Sequence, residues 1–122
     1  MRLLAAIAPT VLLVVLGQLL TKWRVQHLHA SGVWDGDRWS RAWAYLSDPY
    51  IIAAYLAALL GSVFWMFVVE RFAISVAFPI YIGLTVLLVV LGGNVFFGEP
   101  LSTSRLLAIA LILAGVAVGS RA

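Results

Sequence analysis

The sequence of 122 residues contains no cysteine and only five acidic residues. Without cysteine there is no disulfide framework, no thiolate nucleophile and no cysteine-based metal site. Charged residues make up 11% of the chain, whereas a soluble domain carries about a quarter. The scarcity also excludes a disordered chain, because disorder goes with low hydrophobicity and high net charge. There is no glycine-rich phosphate loop, no Ser/His/Asp set and no carboxylate pair at catalytic spacing, so no enzyme and no cofactor are expected. His27 and His29 are the only histidines, and two such ligands without cysteine or a nearby carboxylate make a poor metal site.

What is present is apolar. Hydrophobic residues make up 64% of the chain and the mean hydropathy is +1.07, values of an integral membrane protein. The net charge is +3, with eight basic residues scattered and not in a run. Scattered basic residues on a membrane chain favour anionic lipid headgroups or an anionic substrate over nucleic acid.

Charge divides the chain. No charged residue falls between Leu3 and Thr21, and seven of the thirteen fall between Lys22 and Asp48. Only Glu70 and Arg71 interrupt the run from Pro49 to Gly98. A helix needs about 20 residues to cross the bilayer core. The segments therefore predict an all-α polytopic membrane protein, a single domain over 1–122 with spans at roughly 3–22, 49–69, 72–97 and 103–120. The first apolar run is long for a signal sequence and no small-x-small cleavage pattern follows it, so a retained span is expected. Asp48-Pro49 reads as a helix start, with an N-cap and a proline at the first position. Glu70-Arg71 is a tight joint that predicts a hairpin of spans two and three. Pro79, Gly83, Gly92 and Gly93 predict that span three is kinked or divided.

The first loop, 23–48, holds Trp34, Trp39, Trp43 and Tyr45. Trp39, Trp43 and Leu46 recur at helical spacing with Arg38 and Arg41 toward the other side, the pattern of a short interfacial helix. An anchoring elbow is the favoured role, and a platform for a sugar or headgroup the alternative. Basic residues number five on the loop-one side and three (Arg2, Arg71, Arg121) on the other. Setting aside Lys22 and Arg24 makes them equal, so orientation stays open.

Span one carries one polar stripe: Thr10, Gly17, Gln18, Thr21 and Lys22. Gln18 and Lys22 are one turn apart. They read either as helix glue and a snorkelling lysine or as an anion site. No carboxylate lies at a span centre, which argues against a proton-coupled pump. Trp65 in span two is a belt aromatic or a cavity wall. Tyr81 and Thr85 share a face of span three, and interhelical hydrogen bonding is the plain alternative to a substrate role for them. Asn94 is expected to bond local backbone. Gly115 and Gly119 in span four form a small-xxx-small pattern suited to a close interface.

Three stretches together resemble the small four-helix members of the drug/metabolite transporter superfamily. They are Gly17-Gln18-Leu19-Leu20-Thr21-Lys22, the run from Ala73 to Ile80, and Phe96-Phe97-Gly98-Glu99-Pro100-Leu101-Ser102. The resemblance spans nearly the whole chain except loop one, which is longer than in that family. The small multidrug resistance branch uses a span-one glutamate, and its place is taken here by Val14. The flippase subunits for aminoarabinose-phosphoundecaprenol carry Gly-Gln-Leu-x-x-Lys, which Gly17, Gln18, Leu19 and Lys22 match residue by residue.

That resemblance implies transport of a polyprenyl-phosphate-linked sugar across the bacterial inner membrane. Lys22 would pair the phosphate, and Gln18, Trp65, Tyr81 and Thr85 would contact sugar or line the path. Four helices can hardly enclose such a headgroup, so a homodimer, or a heterodimer with a related small subunit, is implied. Two rivals stand beside it: a multidrug or cationic-metabolite exporter of the same fold, and a non-transporting scaffold for a glycosyltransferase.

Overall fold

The computed structural model describes residues 2–30 and 36–119. It is all-helical: α1 (Arg2–Ala30), α2 (Arg38–Leu46), α3 (Pro49–Arg71), α4 (Ile74–Phe97) and α5 (Thr103–Gly119). Helices α1, α3 and α4 are long and apolar enough to cross a membrane. The apolar α5 has 17 residues, a reach of roughly 26 Å at 1.5 Å per residue, near the lower limit for a span. The chain is a multi-pass membrane protein. Trp34, Arg121 and the end of the expected fourth span, residue 120, lie outside the described residues.

The second span starts as its sequence requires. Asp48 is the N-cap of α3, Pro49 follows, and Asp48 Oδ2 accepts bonds from the Tyr50 and Ile51 amides at 3.1 Å each. Trp39, Trp43 and Leu46 fall together on α2, all exposed.

Three expectations are corrected. α1 does not stop at Lys22 but runs on to Ala30. Lys22 and Arg24 end the apolar run, yet no proline or glycine follows to break the backbone before Ala30, and charge alone does not stop a helix. α4 is not divided but runs as one continuous helix through Pro79. Pro79 sits in its second turn, where only one backbone bond is lost, that to the Ser75 carbonyl. Spans two and three do not form a side-by-side hairpin. α3 and α4 meet through Trp65 against Phe78 and Tyr81, and each packs mainly against α1.

The reason for α1's central place is its buried face. Ile7, Val11 and Val15 of α1 meet Val68 of α3 and Ala77 of α4 in the core. Gly17 brings α1 so close to α3 that a Cβ there would lie 2.8 Å from the Ala54 carbonyl oxygen. Thr10 Oγ1 donates to the Gly61 carbonyl at 3.1 Å within the same contact. Most remaining large apolar side chains, such as Leu12, Leu59 and Leu111, face outward, as lipid permits.

Candidate functional site: a lysine-lined cavity beside an apolar groove

The polar stripe of α1 divides on folding. Thr10 and Gly17 face α3, and Thr21 Oγ1 returns to the Gly17 carbonyl at 2.7 Å. Gln18 lies eight residues beyond Thr10, a turn of about 80° around the helix. Gln18 and Lys22 therefore point elsewhere. Both are exposed, and both line a cavity of about 250 Å³ against α4, walled by Val89, Gly93, Phe97 and Glu99. Among the described residues Lys22 makes no ion pair.

Beside this cavity runs an apolar groove of about 310 Å³, lined by Leu16, Leu19, Leu20, Trp23, Phe96 and Phe97. Leu19 and Phe97 belong to both. A polar compartment lined by Lys22, Gln18 and Glu99 thus shares two walls with a groove that has no polar side chain but the Trp23 indole.

Trp65 and Tyr81 meet at a second level. Their rings lie 5.1 Å apart, and Phe78 completes a trio with centroids 6.2 Å from Trp65 and 5.9 Å from Tyr81. The trio lines a cavity of about 200 Å³ with Thr10, Val14 and Ser62. No carboxylate is among these side chains. The two levels are separated by about 12 Å along α1, from Thr10 to Gln18. Thr85 falls between them, one turn from Tyr81 and one from Val89. Its Oγ1 is buried and has no hydrogen-bond partner among the described residues. The five candidate contact residues thus form two groups joined by Thr85 and not one cluster. Gly115 and Gly119 meet nothing within 4 Å where a Cβ would be, whereas Gly83 of α4 packs on Val116 and Leu113 of α5.

Glu99 lines the Lys22 cavity and Arg105 the cavity beside it, and neither stands out in the sequence. Gly98, with φ of 65°, turns the chain back on itself at the end of α4. The Glu99 amide then donates to the Gly93 carbonyl at 3.2 Å, and Asn94 Nδ2 donates to the Glu99 carbonyl at 2.8 Å, the local backbone role expected of Asn94. Glu99 therefore lies against the last turn of α4 and lines the Lys22 cavity. It also lines a neighbouring cavity of about 210 Å³ that holds Arg105. The signal was the left-handed glycine before Glu99, with a small residue, Gly93, six positions upstream.

A second missed feature flanks the site. Arg24 Nε donates to Asp48 Oδ1 at 2.8 Å, and its guanidinium lies 4.6 Å from the centre of the Tyr50 ring. Burial of Asp48 raises its pKa, but the bond from Arg24 and those from the Ile51 and Tyr50 amides outweigh this and hold it below the ordinary carboxylate value.

Comparison with known proteins gives the family. No family model and no solved structure matches the chain. A Pseudomonas aeruginosa protein (strain PAO1), described as "Probable 4-amino-4-deoxy-L-arabinose-phosphoundecaprenol flippase subunit ArnE", is 32% identical over 117 residues, 96% of each chain. A Pseudomonas syringae protein of the same description is 33% identical over 110 residues, 90% of this chain and 93% of its own. One from Aeromonas hydrophila is 30% identical over 73 residues, 60% of this chain and 63% of its own. At this identity and coverage the chain belongs to the family of aminoarabinose-phosphoundecaprenol flippase subunits.

Proposed function

We propose that this chain is one subunit of a flippase that moves a polyprenyl-phosphate-linked sugar across the bacterial inner membrane. The observation that carries the reading is the pair of adjoining compartments, the Gln18–Lys22 cavity and the apolar groove, with Leu19 and Phe97 in both walls. A glycolipid of this class has an anionic phosphate between a polar sugar and a long apolar tail. Lys22 pairs the phosphate as a charge-assisted partner. Gln18 bonds sugar hydroxyls, and the groove takes the first units of the tail. Each compartment is small beside a whole glycolipid, which suits a site completed by a second subunit.

Thr85 and the Trp65–Tyr81 pair extend the polar path along α4, with an unpartnered hydroxyl and stacking surfaces for a sugar. The whole chain acts as a single four-helix membrane domain, paired with a second copy or a related small subunit through the open Gly115–Gly119 edge of α5. The curated relatives are named as subunits, which supports such pairing. Transport of this kind makes and breaks no covalent bond, so no catalytic group is required. The aromatic cavity at Val14 holds no carboxylate, which weighs against the cation-exporter reading.

Reconstitution in proteoliposomes, alone and with a related small subunit, tests the reading. A fluorescent polyprenyl-phosphate sugar should cross the bilayer only when the protein is present. Failure of both assemblies to move it, with cationic dyes transported instead, would overturn the proposal.

A further inference from the structure

Two unpaired groups of opposite charge share the headgroup cavity. Lys22 and Glu99 both line it, yet neither makes an ion pair among the described residues, and the Glu99 carboxylate accepts no hydrogen bond from them. A lysine and a glutamate free to meet would form a pair of modest value. Here the glutamate is held back by its own backbone. Its amide is fixed to the Gly93 carbonyl and its carbonyl to Asn94 Nδ2. The carboxylate lies over Gly93, so close that a Cβ on residue 93 would come within 2.8 Å of Oε1. Glycine at 93 is what gives the carboxylate this berth.

A cavity that keeps a cation and an anion apart and unpaired is complementary to a ligand carrying both signs at a short separation. A sugar bearing a free amine and linked to a phosphate is such a ligand. We infer that Glu99 is a specificity-determining residue of the flippase, binding a cationic amino group on the sugar while Lys22 binds the phosphate. This rests on the flippase reading and adds to it a residue that sorts amino sugars from neutral ones. Gly93 and Asn94 are positioning residues for that carboxylate. Arg105, in the adjoining cavity, donates to the Pro100 carbonyl at 2.9 Å and helps to hold the turn that carries Glu99.

The test is binding to the full chain in nanodiscs, with its partner subunit where one is required. The probes are undecaprenyl phosphate carrying 4-amino-4-deoxy-arabinose and undecaprenyl phosphate carrying unmodified arabinose. Wild type should prefer the amino form. Glu99→Gln, of nearly the same shape, should weaken the amino ligand about tenfold, the scale of a lost hydrogen bond to a charged group, and leave the neutral one unchanged. Glu99→Asp should restore part of the preference. Gly93→Ala, which displaces only the end of a flexible side chain, should reduce the preference in the same direction. Lys22→Ala should weaken both ligands. Equal loss of both ligands in Glu99→Gln, or no loss of either, overturns the role of Glu99 while leaving the flippase reading intact. A wild type that binds neither ligand overturns both.

Discussion

Arg24 Nε sits 2.8 Å from Asp48 Oδ1, and this contact ties the extended end of α1 to the first turn of α3. Asp48 thereby serves two helices, because its other oxygen caps α3 through the Tyr50 and Ile51 amides. The joint lies just beyond Lys22 and holds the part of α1 that carries this proposed phosphate-binding group.

Asp48→Ala removes the cap and leaves Arg24 without its partner. Loss of the cap alone costs about 1 kcal/mol, and the unpaired guanidinium adds to it. Asp48→Asn keeps one oxygen for the cap but puts an NH2 group where Arg24 needs an acceptor, so thermal unfolding in detergent should rank wild type above Asp48→Asn above Asp48→Ala. Because the native pKa of Asp48 is lowered, the pair's contribution is complete above the ordinary carboxylate pKa of about 4. It is lost as pH falls through the lower native value. That acid-side loss of stability should be smaller in Asp48→Asn.

Glycines 17 and 93 should respond differently to alanine. A Cβ at 17 would strike the Ala54 backbone, which cannot move away without separating two helices. Gly17→Ala should cost about 1–3 kcal/mol, the usual range for overpacking. A Cβ at 93 meets only the tip of Glu99, so Gly93→Ala should unfold within a few degrees of wild type. Melting curves of the two variants side by side check this.

Thr85 offers a separation of stability from transport. Its hydroxyl is buried without a partner, so Thr85→Val removes an unsatisfied group at nearly constant shape. Stability should stay level or rise slightly. If the headgroup passes this point, transport in proteoliposomes should fall about tenfold, the worth of one hydrogen bond near 1.4 kcal/mol. Unchanged transport would remove Thr85 from the path.

The Gly115–Gly119 edge should matter for assembly and not for the fold. Gly115→Leu and Gly119→Leu meet open space among the described residues. Circular dichroism should therefore be unchanged, while light scattering should show less dimer, with a second copy or with a related subunit. Wild-type assembly in both variants would move the interface to another face.

Much of the helical order was legible in the sequence, because it rests on local rules. Asp48-Pro49 starts α3 by capping, and Trp39, Trp43 and Leu46 mark α2 by spacing. The end of α1 was not legible. Lys22 ends the apolar run, but a helix continues until its backbone is broken or capped. The Arg24–Asp48 pair joins residues separated by the whole first loop, and periodicity carries no information on such contacts. Within the candidate site, Gln18 and Lys22 stand out as polar groups in an apolar run. Glu99 does not, because at the end of a span it reads as solvated until the left-handed turn at Gly98 folds it back over Gly93.

The most direct test of the central claim is the affinity of undecaprenyl phosphate for the wild-type protein and for Lys22→Ala in nanodiscs. The account predicts saturable binding by wild type and binding about tenfold or more weaker in Lys22→Ala, the loss of one charge-assisted contact to phosphate. Equal affinity of the two proteins, or binding of a quaternary ammonium dye in place of the lipid, would contradict it.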